Sequence, residues 1–497
     1  MIFIGIDSGT QSTKAIALDS ETGEILTSAQ ESYDLIDGLP NGHMEQHPQE
    51  WIKATKNVIA RCVDDLGELR SKITGIGVSG QQHGLVVLDE FDEVIRPAKL
   101  WCDTSTIKQC RDFADEFGGV SGLIKIAGNN ILPGYTVPKV LWIKQNEPDN
   151  YKKIRTILLP HDYINFYLTG IKKMEYGDAS GTGLLNVRTR DWCNDLIDFV
   201  DPSMIDMIPE IQSSMNIHGE VRPEVLKEFD LPEGVIVSAG GGDNMMGAIG
   251  TGNVKSGTIT ASFGTSGTLY GVSDVPAIDE GGEVAAFCDS TDKWLPLVCT
   301  MNVTVVTEKI RDLFSLSLED LEHAVTRVEP GAGGLSFLPY LNGERTPNLP
   351  NGKGVIHGLT CDNMDPAKLA RSAMEGATMG LAYGLNKFSE MGVNLSEIRA
   401  TGGGSKSLIW RQIAADVFNT PVVPLATSEG ASLGAAIQAM HCCMHSGVNH
   451  YEDLCSKFVK LDESNRCDPI KENVSIYKEL LDEQIRLTCD LSDSGHL

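Results

Sequence analysis

At 497 residues the chain is too long for a single hydrophobic core, so two large domains are expected. A formal net charge of −27 repels phosphodiester backbones and anionic lipid, which disfavours nucleic acid and membranes as partners, although a nest of N–H groups or a divalent cation can still bind phosphate locally. No signal-peptide pattern opens the sequence and no long apolar run suggests a membrane span, while twelve scattered cysteines without a C-x-x-C pair predict reduced thiols in the cytoplasm.

The first element reads as a strand, Ile2 to Ile6, followed by the turn Asp7-Ser8-Gly9-Thr10 and a second strand from Thr13 to Leu18. Pro48 opens a helix that runs towards Leu66, because proline suits the first helical turn. Ile73 to Ser79 reads as a buried strand ending in Gly80-Gln81-Gln82-His83-Gly84, and Leu85 to Leu88 as another. Trp101-Cys102-Asp103-Thr104 follows an apolar stretch and offers an aromatic wall with a carboxylate. Gly240-Gly241-Gly242 precede Asp243-Asn244, a backbone turn sharp enough to exclude side chains. The strand–turn–strand pattern then recurs as Gly257 to Phe263, Gly264-Thr265-Ser266-Gly267 and Thr268 to Val272, which predicts two related domains. Pro366 opens a long helix with Gly376, Gly380 and Gly384 on one face, implying the close approach of another backbone. A short strand from Glu397 leads into a third glycine turn, Gly402-Gly403-Gly404-Ser405, and a helix resumes near Leu408. The resulting partition is 1–247, 248–447 and a peripheral helical tail, 448–497.

Without a P-loop or a G-x-G-x-x-G fingerprint, the three glycine turns are the phosphate-handling candidates, since such turns gather backbone N–H groups into one concavity. Asp7, at a strand end beside one of them, suits Mg²⁺, which prefers one or two carboxylates plus phosphate oxygens. Asp243 is placed to accept a proton from an attacking hydroxyl. Gln82 and His83 offer fixed donors and acceptors for sugar hydroxyls. The segment His441-Cys442-Cys443-Met444-His445 lacks a second ligand cluster at zinc spacing and reads as a helix end.

Taken together these stretches resemble the FGGY carbohydrate kinases. The resemblance is carried by Glu45-Gln46-His47-Pro48, Ser79 to Gly84, the run Gly134-Tyr135-Thr136-Val137-Pro138-Lys139-Val140-Leu141-Trp142, Leu159 to Tyr163, Gly240 to Asn244, Phe337 to Pro347 and Thr401 to Gly404, in family order. It implies two actin-like (ribonuclease-H-like) α/β domains with a cleft between them, and ATP-dependent phosphorylation of the terminal 5-hydroxyl of a ketopentose. D-Xylulose comes first and D-ribulose or another polyol is the alternative. Carried over by position, Asp243 is the base and Asp7 the Mg²⁺-associated carboxylate, with Asp243 also beside the metal. Gln82, His83, Trp101, Asp103, Asp243 and Asn244 would hold the sugar. Thr10, Gln11, Lys14, Gly264, Thr265, Gly403, Gly404 and Ser407 would hold ATP. The chain departs from the ketopentose branch of the family at Gln82 (usually methionine), Cys102 (often asparagine) and His161 (often lysine), and the first of these bears on which sugar is accepted. An actin- or chaperone-type ATPase is the reading from another class. The oligomeric state is left open, a homodimer included.

Overall fold

A computed structural model of the chain describes residues 1–427, 429–444 and 450–497. Two mixed β-sheets with helices packed on them form an actin-like α/β architecture. In the first, the strands Ile2–Ser8, Ser12–Asp19 and Ile25–Ser32 make an antiparallel meander, and Ile73–Gly80 and Ile236–Ser238 extend it in parallel on the other side of Ile2–Ser8. The second repeats this scheme: Gly257–Phe263, Gly267–Gly271 and Trp294–Thr300 are antiparallel, while Leu395–Thr401 and Val422–Pro424 add in parallel beside Gly257–Phe263. The repeat expected from the two hairpins therefore extends to the crossover strands. Each sheet ends with a hairpin turn beside the glycine-bearing end of a parallel strand, which is where α/β sheets bind ligands.

The helix Pro48–Leu66 begins at its proline and stops at Gly67, whose φ of 55° permits the turn. Its face of Trp51, Val58, Ile59, Cys62 and Leu66 is buried against the first sheet. The long helix spans Pro366–Glu390 and is capped by Asp365, whose carboxylate accepts the N–H groups of Ala367 and Lys368. Its glycine stripe has three different causes. A Cβ at Gly376 would lie 2.0 Å from the carbonyl oxygen of Phe337, so a backbone does approach there. At Gly384 the obstacle is the Val298 side chain at 2.6 Å, and Gly380 has only an ordinary contact with Pro339 at 3.9 Å.

The helix Gly430–Met444 lies on the first sheet although its sequence belongs to the second half. A Cβ at Gly5 would fall 1.8 Å from the Ser432 carbonyl oxygen, and one at Gly77 would fall 2.0 Å from that of Ala435. Opposite, Gly434 admits the Met246 carbonyl in the helix Asp243–Gly250 at 1.9 Å from the position its Cβ would take. Backbone thus packs on backbone across the boundary expected from the sequence, and residue 447, where the second segment was ended, lies outside the described residues.

The tail is not peripheral. The helix Lys471–Asp493 buries Tyr477 in the core of the second half, where its hydroxyl donates to Glu375 at 2.7 Å and accepts from Arg371 at 2.8 Å. The helix His450–Phe458 packs Tyr451, Leu454 and Phe458 against Phe3, Ile16 and Leu18 of the first sheet. Of the two histidines noted near Cys442, His441 stacks on Tyr451 at 4.1 Å and His445 lies outside the described residues. All twelve cysteines are free thiols, and among the described residues no helix is long and apolar enough to cross a membrane.

Candidate active site

Asp243 is the first residue of the helix Asp243–Gly250, and each of the three preceding glycines is required by a different neighbour. Gly240 has a φ of 76° and would place a Cβ 2.7 Å from the Val78 carbonyl. A Cβ at Gly241 would meet Ser290 Oγ at 2.6 Å, and one at Gly242 would meet Gln82 Cγ at 2.6 Å. The last contact brings the substrate candidates together: Asn244 Nδ2 donates to Gln82 Oε1 at 2.7 Å and to Asp243 Oδ1 at 3.0 Å. Gln82 Nε2 and His83 Nδ1 are buried and have no hydrogen-bond partner among the described residues. Such groups carry a desolvation cost that a polar ligand would relieve.

Burial, then the charges of Asp7 and Asp178, push the Asp243 carboxyl up to about 7. Asp7 is itself raised by burial, against a 2.8 Å hydrogen bond from Ser79 Oγ and the charge of Lys14. Since a base must be unprotonated to accept a proton, kcat/KM is expected to rise as pH increases through about 7 and to level off above it. A profile of kcat/KM against pH that stays flat between about 5.5 and 8.5 would remove Asp243 from that role.

His83 is pressed between rings, 5.0 Å from Tyr135 and 5.5 Å from Phe287. Burial, followed by the charges of Lys139 and Arg345, holds its imidazole well below the usual range, so it is neutral at pH 7. Trp101 is partly exposed and donates its indole N–H to Thr10 Oγ1 at 2.9 Å, while Thr10 Oγ1 donates to Gln81 Oε1 at 3.1 Å. The first glycine turn and the Trp101 ring are thereby one structure. The turn is further fixed by Gln46 Nε2, which donates to the Thr10 carbonyl at 2.6 Å, and by Tyr33, whose hydroxyl donates to the Gly9 carbonyl at 2.7 Å.

Asp103 departs from its expected place at the sugar. It is fully buried, and its carboxylate accepts from Met44 N, Lys99 Nζ, Ser105 N and Ser105 Oγ. His43, Glu45 and Asp103 place ligand atoms within 4.8 Å of one another, but Lys99 Nζ sits among them at 3.2, 3.1 and 3.0 Å. An ammonium group holds the position a metal ion would take.

A cavity of about 820 Å³ runs from Asp243 and Asn244 past Ser262, Thr268 and Tyr270 to Gly403, Asp462 and Asn465. Its size suits a nucleotide. Gly403 lines it, and the turn of half-buried Gly264 and exposed Thr265 joins the strands that supply Ser262 and Thr268. Gly404 is buried with its Cα face against Phe263, and Ser407 caps the helix Leu408–Phe418 while donating to Glu322 at 2.8 Å. Gln11 is exposed beside the first turn, and Lys14 is paired with Glu429 at 2.6 Å, which ties the two halves together.

Arg345 lies within the matching stretch Phe337 to Pro347 but was given no role from the sequence. It reaches from the second half to 6.0 Å above the Trp101 ring and donates to Cys299 Sγ at 3.8 Å. Buried Glu344 orders this segment by accepting from Met301 N, Arg345 N and Asn302 Nδ2.

Residues 2–250 match the N-terminal domain of the FGGY family of carbohydrate kinases, and residues 260–443 match its C-terminal domain. The chain belongs to this family. The xylulose kinase of Haemophilus influenzae is 42% identical over 96% of this chain and 97% of its own length. That of Bacillus subtilis is 36% identical over 96% and 95%. Among solved structures, a xyloylose kinase from Brucella ovis superposes with a TM-score of 0.93 at 29% identity, covering 99% of this chain and 100% of its own. A xylulose kinase from Bifidobacterium adolescentis gives 0.84 at 28%, covering 96% and 99%. This FGGY membership replaces the actin- or chaperone-type ATPase reading.

Proposed function

We propose that the chain transfers the γ-phosphoryl group of ATP to the 5-hydroxyl of D-xylulose. The observation that carries this reading is the juxtaposition of Asp243, its carboxyl raised to about 7, with the Asn244–Gln82 pair and the unpartnered Gln82 amide at one end of the nucleotide-sized cavity. The named relatives support the choice of sugar.

A 5-hydroxyl that is to be phosphorylated must stay out of a furanose ring, so the open-chain ketose is the form bound. Gln82, His83 and Asn244 hold its hydroxyls and carbonyl against the Trp101 wall, and leave the terminal hydroxyl at Asp243. The hydroxyl oxygen forms a bond to the γ-phosphorus, the bond from that phosphorus to the β,γ-bridging oxygen breaks, ADP leaves, and the proton passes to Asp243. The turns at Thr10 and at Gly264–Thr265 face the phosphates from opposite sides, and Gly403 lies along the nucleoside. Asp7 and Asp243 fit Mg²⁺ in donor type: both are carboxylates whose proton affinity burial raises, and the charge of Asp7 raises that of Asp243 further. When bound there with phosphate oxygens, the ion supplies charge neutralisation. The free thiols suit a cytoplasmic setting.

Rates over D-xylulose, D-ribulose, arabinitol and glycerol test the reading. D-Xylulose is expected to give the highest kcat/KM, and ADP release without any sugar at a comparable rate would overturn it. Replacing Gln82 with the methionine common in the family is expected to lower the ratio of D-xylulose to D-ribulose kcat/KM by about tenfold, because an amide matched to a hydroxyl discriminates more sharply than a thioether.

A further inference from the structure

The run Gly134 to Trp142 carries the family resemblance, yet none of its residues touches the reacting atoms as assigned above. Three of them, Tyr135, Thr136 and Lys139, converge on His83 instead. Lys139, fully buried in the helix Thr136–Asn146, donates through Nζ to the His83 carbonyl at 2.7 Å and to the Gly134 carbonyl at 2.8 Å. Thr136 Oγ1 donates to the same His83 carbonyl at 3.2 Å, and the Tyr135 ring packs on the imidazole. On the other side of the peptide lies the Asp178 carboxylate, whose charged form the nearby His83 N–H favours. Asp178 in turn accepts from His161 Nδ1 at 3.0 Å, and His161 lies 3.0 Å from Asp162. Two carboxylates raise the His161 imidazole well above its usual range against the opposing effect of burial, so it stays a cation between them.

His83 needs this support. Its φ of 63° lies in the left-handed region, which strains a non-glycine residue and persists only where surroundings over-determine it. The ring is confined too: a Cβ on Gly181 would fall 2.1 Å from His83 Cε1.

We propose that Lys139 is a positioning residue for sugar recognition: with Thr136 it clamps the His83 carbonyl so that the strained backbone presents the imidazole to the substrate. The role does not depend on charge. Burial lowers the Lys139 ammonium to about 7, and the neutral amine keeps two N–H groups for its two carbonyl acceptors. A buried lysine spent on two backbone carbonyls, with no carboxylate partner among the described residues, is costly unless the geometry it enforces is used.

The proposal rests on the sugar-kinase reading, and a double-mutant cycle separates the two. Lys139→Met keeps the volume of the side chain and removes its donors. It is expected to weaken sugar affinity, measured by calorimetry without ATP and as the sugar KM, by about tenfold or more, with the KM for ATP changed less than about twofold. In a His83→Ala background the same substitution should change sugar affinity less than about twofold, because the group it positions is gone. Equal losses in both backgrounds, unchanged sugar affinity, or parallel rises in both KM values would overturn the proposal. Should Lys139→Met fail to fold, Thr136→Val removes the other donor to the same carbonyl and is carried through the same cycle. A few-fold loss that disappears with His83→Ala supports the clamp, and an additive loss overturns it. No sugar-dependent ADP release from the unsubstituted enzyme would sink the kinase reading itself; a working kinase with additive substitutions sinks only the clamp.

Discussion

Asp243→Ala is expected to lose phosphoryl transfer by at least about 10²-fold while retaining ATP binding, since a positioned base contributes roughly 10²–10⁴-fold. Single-turnover rates and nucleotide titration report the two quantities separately, and near-normal turnover would dismiss Asp243 as the base. The same residue should be a liability for stability. Its folded-state value of about 7 lies above the unfolded value of about 3.9, so the folded protein holds a proton that the unfolded chain releases. The penalty is absent below about pH 4, grows as pH rises towards 7 and is complete above it. Asp243→Asn, which has no charge to desolvate, is therefore expected to melt about 2 °C or more above the parent at pH 8 and at the same temperature near pH 4. An unchanged melting temperature at pH 8 would mean that the carboxylate is better solvated than its surroundings suggest.

Asp7→Ala is expected to lower kcat by about tenfold or more and to raise the Mg²⁺ concentration needed for half-maximal rate. It should also shift the acid limb of the pH profile downward, because Asp7 is the first charged neighbour that raises Asp243. The metal titration and the pH profile test different consequences of one carboxylate. A variant with lower kcat but an unaltered Mg²⁺ response would leave Asp7 a structural partner of Ser79 and nothing more.

What the sequence made legible was what local chemistry encodes. Glycine turns, prolines at helix starts and alternating apolar strands located both hairpins, the helices Pro48–Leu66 and Pro366–Glu390, and the turn before Asp243. What it concealed depended on partners distant in the chain. Asp103 looked available because nothing near it in sequence announces that Lys99, brought in by the pairing of Ala98–Lys99 with Glu45–Gln46, saturates it from within a carboxylate cluster. Lys139 was legible only as part of a family-type stretch, and the partner its ammonium bonds, the His83 carbonyl, lies 56 positions earlier. The tail looked acidic and peripheral because its composition outweighed one tyrosine, yet Tyr477 completes a buried network with Arg371 and Glu375. Arg345 is placed at Trp101 only by the meeting of the two halves.

The helix Gly430–Met444 bears on how the protein is made. The face of the first sheet formed by Phe3, Ile16 and Leu18 is covered by Leu433, Ile437 and Met440 and by residues of the helix His450–Phe458. During synthesis those early strands leave the ribosome with that face bare, and the segments that cover it are translated long afterwards. Earlier-made domains usually fold as units while the rest is still being made. Here that face of the N-terminal sheet stays bare until the helix Gly430–Met444 is made, so a chain truncated before that helix presents an uncovered apolar surface to chaperones, and the truncation reaches the first domain as well as the second.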